Sequence, residues 1–227
     1  MSTKKLIPCA PIFLFLSLLP LSASSENLLE SASFGGLAPG SDVGDPWKTK
    51  ARGEQTAIRV QAPDGDASKD WVYVKDHDSA EKVYLLTDVA PLSKGMLSFR
   101  LYMPSGSATV GIYLRNESLD KDQYNIVEFK TLETSGNIYV GGNGQRQKLP
   151  VQALDSEFLS FDIEFDATDA GEKIDVYIKD TTGRHLIHSM TTPVANSIDT
   201  VMITTDTQTS YSEFYVGDIS LSPINLN

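Results

Sequence analysis

Along most of its length the chain alternates apolar and polar residues with a period of two, in short runs broken by Gly, Pro, Asp, Asn or Ser. In residues 96–103, Leu97, Phe99, Leu101 and Met103 fall on one side of an extended chain, and Ser98, Arg100 and Tyr102 on the other. In 108–115, Ala108, Val110, Ile112 and Leu114 oppose Thr109, Tyr113 and Arg115. Successive side chains of a strand point to opposite faces, so each run reads as a strand with one buried and one wet face. The pattern predicts strands near 47–52, 56–61, 71–76, 82–87, 96–103, 108–115, 123–130, 136–141, 158–166, 172–179, 185–190, 198–205 and 211–221. No stretch keeps an apolar period of 3.6 through three turns. The expected fold is all-β, a two-sheet antiparallel β-sandwich, most simply connected as a jelly roll.

The run Phe158 to Asp166, FLSFDIEFD, carries the pattern furthest. Leu159, Phe161, Ile163 and Phe165 form its apolar side, leaving Ser160, Asp162, Glu164 and Asp166 outward. The next run, EKIDVYIKD, buries Ile174, Val176 and Ile178. Matching the faces of a hairpin sets Asp166 opposite Lys173, Glu164 opposite Asp175 and Asp162 opposite Tyr177. Alternating acids of this kind can share a proton or hold a cation, since a like charge raises one pKa. Laminarinase-type hydrolases arrange theirs as E-x-D-x-x-E; D-x-E-x-D lacks a glutamate at each end, and a solvated strand face is the simpler expectation.

The first residues change the expected compartment. Lys4 and Lys5 precede an apolar run from about Ile12 to Leu21, followed by small residues around Ala23. Residues 1–24 read as a cleaved secretory signal peptide and 25–227 as a single domain, secreted or periplasmic, without membrane insertion. The single cysteine, Cys9, would leave with the leader, which excludes disulfides and thiolate chemistry from the mature domain. The Gly-, Pro- and Ser-rich segment 25–46 is expected to cross one edge or end of the sandwich.

Charge narrows the partners. The chain has 19 basic and 30 acidic residues, a net charge of −11. Residues 100–150 hold 6 basic and 5 acidic side chains, whereas 151–227 hold 3 and 13. Such a field repels nucleic acid and anionic lipid, and it opposes a polyanionic glycan unless that glycan meets the near-neutral middle segment.

Among titratable groups, His185 and His188 stand three apart, which on a regular strand places them on opposite faces and argues against a shared metal. Asp64-Gly65-Asp66-Ala67-Ser68 opens like a calcium loop, but Lys69 stands where Gly is needed and Lys75 where Glu is needed. The aromatics are the remaining resource: Trp47, Trp71, Tyr73, Tyr102, Tyr113, Tyr124, Tyr139 and Tyr177. Flat rings beside polar groups stack on sugar faces, although Trp71 and Tyr73 could equally belong to a core.

The ends of the chain resemble carbohydrate-binding modules of the family 4 and 9 type, in NLLESASFGG followed by DPW and in the closing EFYVGDISL. Between them, FDIEFDATDAGEKIDVYIKDTTG is similar to paired strands of concanavalin-like and laminin-G-like sandwiches. The resemblance implies a jelly roll that binds a polysaccharide without cleaving it. It also implies a structural calcium near Asp218, although Gly217 and Gly35 replace two acidic positions of that site. The expected binding residues are Tyr102, Tyr113 and Arg115 on one sheet, or Trp47 and Trp71 at loop ends, with Tyr73 on the same strand face as Trp71. Asp218, Asp64 and Asp66 are the candidate metal ligands. The alternative is a polysaccharide lyase acting by β-elimination on a uronate-containing glycan through Arg100, Arg115, Tyr113, Gln123 and Asn125. The oligomeric state is left open.

Overall fold

The alternating runs pair as their faces require. The computed structural model describes residues 27–224, apart from 69, 79–81, 105–107, 122, 133–134, 154–155, 169–171, 193–195 and 206–210. The expected leader, 1–24, and Cys9 lie outside the described residues.

Among the described residues fourteen strands form: β1 (Lys48–Lys50), β2 (Thr56–Val60), β3 (Trp71–Asp76), β4 (Tyr84–Leu92), β5 (Lys94–Tyr102), β6 (Gly111–Arg115), β7 (Asn125–Thr131), β8 (Asn137–Gly142), β9 (Gln145–Gln152), β10 (Phe158–Asp166), β11 (Glu172–Asp180), β12 (Gly183–Thr192), β13 (Ile198–Thr204) and β14 (Ser212–Pro223). They build two antiparallel seven-stranded sheets, a jelly-roll β-sandwich. One has the order β12-β11-β10-β5-β14-β3-β2 and is here the β5 sheet; the other, the β6 sheet, runs β1-β4-β13-β6-β7-β8-β9.

The apolar faces meet between the sheets. Phe99 and Phe161 of the β5 sheet close on Phe129 of the β6 sheet, with ring centroids 4.9 to 5.6 Å apart. All three are fully buried, each contributing about 2–3 kcal/mol relative to exposure. Segment 27–47 closes an edge as expected. Its residues 40–42 pair with β2, and Leu28 donates its N–H to the Leu221 carbonyl. Asp70 accepts hydrogen bonds from the backbone N–H groups of Phe34 and Gly35 at 2.5 and 2.9 Å, pinning the segment's bend.

Two features depart from the sequence reading. Strand β9, QRQKLPVQ, escapes a period-two search because it is an edge strand with five of its first six residues exposed, and an edge tolerates Pro150. His185 and His188 share a face rather than opposing one another. The β11–β12 register pairs Ile178 with His185 and Val176 with His188, and a bulge absorbs the extra residue.

The hairpin of β10 and β11 has the expected register, Asp166 with Lys173, Glu164 with Asp175 and Asp162 with Tyr177. Its acids form an ion-pair lattice. Asp162 is buried and accepts from Ser98 (2.6 Å), Lys179 (2.8 Å) and Arg184 (2.8 Å), while Arg184 also reaches Glu164 at 2.6 Å and lies over the Tyr177 ring. Burial pushes the Asp162 carboxyl up, but the Lys179 and Ser98 hydrogen bonds and the two cations outweigh it and hold it below its ordinary value. Groups so occupied stabilise the sheet.

Candidate functional site

The expected set Tyr102, Tyr113 and Arg115 does not lie on one sheet. Tyr102 belongs to β5 and Tyr113 to β6, strands of the two facing sheets, so they point outward on opposite sides of the molecule. Arg100 goes with Tyr102, which divides the expected lyase set as well.

On the β5 sheet, Phe158, Tyr102, Tyr215 and Tyr73 stand in one cross-strand row, with neighbouring rings 4.6, 5.7 and 4.9 Å apart. Burial and the Glu213 carboxylate push the Tyr73 hydroxyl well above its ordinary value. Trp71 is outward but fully covered, with the Arg100 guanidinium 4.7 Å over its ring and Phe158 edge-on. Trp47 belongs to the core, stacked on Phe34 and donating its indole N–H to the Ala32 carbonyl at 2.6 Å. Neither tryptophan offers an open ring face to a ligand, because each is wanted for packing.

Asp66 and Asp218 do converge, yet on a fixed cation. Arg100 spans them at 2.5 and 3.1 Å, and Ser68 donates to Asp218 at 3.2 Å. Burial pushes Asp66 up, but the Ser68 N–H and the Arg100 guanidinium hold it below its ordinary value. Asp64 is exposed on the adjoining turn. A guanidinium in the middle of the carboxylates does not fit a calcium ion, and no group of three or more His, Cys, Asp or Glu among the described residues is arranged to hold a metal.

The β6 sheet carries a cleft of about 420 Å³, lined by Lys121, Tyr124, Asn125, Glu128, Asn143, Gly144 and Arg146. Its floor is a hydrogen-bonded chain across three strands. Arg115 Nε donates to Asn125 Oδ1 at 2.9 Å, and Asn125 Nδ2 donates to Glu128 Oε1 at 3.0 Å. Arg146 Nε then donates to Glu128 Oε2 at 2.5 Å, with the Gly144 N–H 3.4 Å from Oε1. The Arg115 guanidinium lies between two tyrosines, 5.0 Å from the centre of the Tyr113 ring and 4.5 Å from that of Tyr124. Tyr113 is buried beneath it, Tyr124 lines the cleft, and Gln123 is exposed in the preceding turn.

Two backbone details assemble this floor. The β6–β7 register shifts between Leu114 and Arg115, so that Arg115 faces Asn125 and Tyr113 faces Glu128. The bulge thereby sets Asn125 and Glu128, three apart, on the same side. Gly141 stands opposite both Glu128 and Arg146, and a Cβ there would run into the Gln145 carbonyl, so glycine lets the β9 backbone lie close while Arg146 reaches over β8 to a strand about 9–10 Å away.

Sequence reasoning found Arg115 and Asn125 but missed Glu128 and Arg146. The doublet Ile126-Val127 interrupts the alternation of β7 and was the available signal for Glu128; Arg146 lies in a strand that carries no pattern. Chemically, the floor is a set of fixed donors and acceptors beside an aromatic ring. Glu128 is buried with both oxygens engaged, which leaves it a structural anchor rather than a mobile base.

No protein-family profile and no curated protein matches the chain in sequence. Among solved structures it is similar to a sialidase, with a TM-score of 0.64 at 12% identity over 85% of this chain and 18% of that one. It is also similar to the Lotus tetragonolobus seed lectin, with a TM-score of 0.53 at 8% identity over 90% of this chain and 100% of the lectin. A third is a β-glucanase catalytic domain from Podospora anserina, with a TM-score of 0.51 at 12% identity over 84% and 87%. The chain spans less than a fifth of the length of the sialidase. At these identities the likeness is one of fold.

Proposed function

We propose that the protein is an exported carbohydrate-binding domain that holds a glycan in the cleft of the β6 sheet without cleaving it. The observation that carries the reading is the fixed chain Arg115–Asn125–Glu128–Arg146 beside the Tyr124 ring. Sugars need such a combination, an apolar ring for their C–H faces and oriented polar groups for their hydroxyls. The similarity in fold to a seed lectin supports the reading, as does the resemblance of the chain ends to family 4 and 9 modules. The fully engaged Glu128 favours binding over hydrolysis, which uses two available carboxyl groups. The amino-terminal leader supports export.

The test is affinity electrophoresis of the purified domain against a broad panel of soluble polysaccharides. At least one should retard the protein, and Tyr124→Ala should abolish the retardation while Tyr102→Ala on the opposite sheet leaves it intact. Incubation with the same glycan should release no reducing ends and no absorbance at 235 nm. Free migration in every gel would overturn the reading.

A further inference from the structure

We infer that the sugar held in this cleft carries a negative charge, as a carboxylate or a sulfate; the inference rests on the reading of the cleft as a glycan site. Three observations converge. First, among the described residues Glu128 is the one carboxylate lining the cleft and is matched by Arg146, whereas Lys121, next to the exposed Asp120, has no ion-pair partner among them. Arg115, between its two tyrosines, stands beside the cleft wall and is ion-paired at 3.5 Å with the exposed Glu117. An anion entering beside Tyr124 therefore meets Lys121 without displacing an internal pair.

Second, the whole-chain charge misleads about this face. Of the strands in the acidic last third, β10, β11, β12 and β14 belong to the β5 sheet and only β13 to the β6 sheet. Asp162, Glu164, Asp166, Asp175 and Asp218 are paired there with Lys or Arg. The cleft comes from residues 115–146, where 4 basic and 5 acidic side chains nearly balance, against 3 and 13 over 151–227. Lys130 and Lys148 stand on the adjoining cross-strand row of the same sheet, either side of Tyr139. Low-dielectric walls lined by one sign of charge concentrate the opposite one.

Third, Asn143 holds a positive φ of 52° in the β8–β9 turn, and its Oδ1 is buried without a hydrogen-bond partner among the described residues. This acceptor at the cleft wall calls for a donor, which a simple anion lacks and a sugar hydroxyl supplies. A ligand that offers a hydroxyl to Asn143 and an anionic group to Lys121 is an acidic saccharide.

The experiment compares uronate polysaccharides, their carboxyl-reduced counterparts and a sulfated dextran in affinity gels, followed by calorimetry with the oligosaccharide of the best binder. A charged glycan should bind at least about tenfold tighter than its neutral counterpart, more weakly as NaCl is raised, and Lys121→Gln should cost about fivefold against the charged form alone. Retardation by uronates or by sulfated dextran alone identifies which anion is held. Equal affinity for charged and reduced glycans would overturn the inference and leave the glycan site standing. Binding of none, neutral or charged, would remove both.

Discussion

Gly217 and Gly141 each permit a close approach, on opposite sides of the molecule. Arg100, Gly217 and Trp71 stand in register on β5, β14 and β3, and the missing side chain in the middle lets the guanidinium lie on the indole. Gly141 instead makes room for the backbone of β9, since a Cβ there would run into the Gln145 carbonyl. A Cβ at 217 would lie 2.3 Å from the Trp71 ring. Gly217→Ala should therefore displace the indole and the Arg100 contacts with Asp66 and Asp218, costing about 1–3 kcal/mol. Urea unfolding followed by tryptophan fluorescence checks this; an unchanged midpoint would show that the ring yields freely. At this scale the sequence was legible in residue type more than in role. Trp47 and Trp71 were visible as large aromatics, but whether such a ring binds or packs depends on Ala32, Phe34, Arg100 and Phe158, which arrive from other segments.

At the level of strands, a period of two is reliable until a bulge resets it. All thirteen expected strands form, since most bury one apolar side that a slip would expose. Past a bulge, parity inverts. Ile126 does this between Asn125 and Glu128, and the irregular pairing in β12 does it between His185 and His188. Strand β9 was illegible because its apolar side is only Leu149 and Val151, with Gln145 and Gln147 ahead of them on the same parity. Edges also open most easily. Amide hydrogen exchange should be fastest in β9 and β12, and slowest in β5 and β6 at the sheet centres. Protection in β9 equal to that of β6 would mean that something covers the edge.

Over the whole molecule, charge is sorted by face, and its pairing predicts the response to acid. Asp66, Asp162, Asp166 and Asp180 all titrate below the ordinary 3.8, Asp180 at about 2. A carboxyl lowered in the folded state adds stability above its unfolded pKa and loses it as pH falls through the folded one. As pH falls toward the pI of about 4.7, relaxing repulsion from the −11 charge should hold or slightly raise the melting temperature. Below about pH 4 it should drop steeply. Differential scanning calorimetry from pH 8 to 2.5 checks this, and a fall centred near pH 6 would contradict it. By itself the sequence determined the all-β class, the strand positions and the β10–β11 register, because these follow from periodicity within a segment or between neighbours. Only the tertiary structure decided which outward residues share a face, that Arg115 meets Glu128 and Arg146 while Tyr102 looks the other way, and that the acidic third backs the opposite sheet. Those outcomes depend on sheet order, bulges and glycine gaps, through which residues far apart in the chain come to touch.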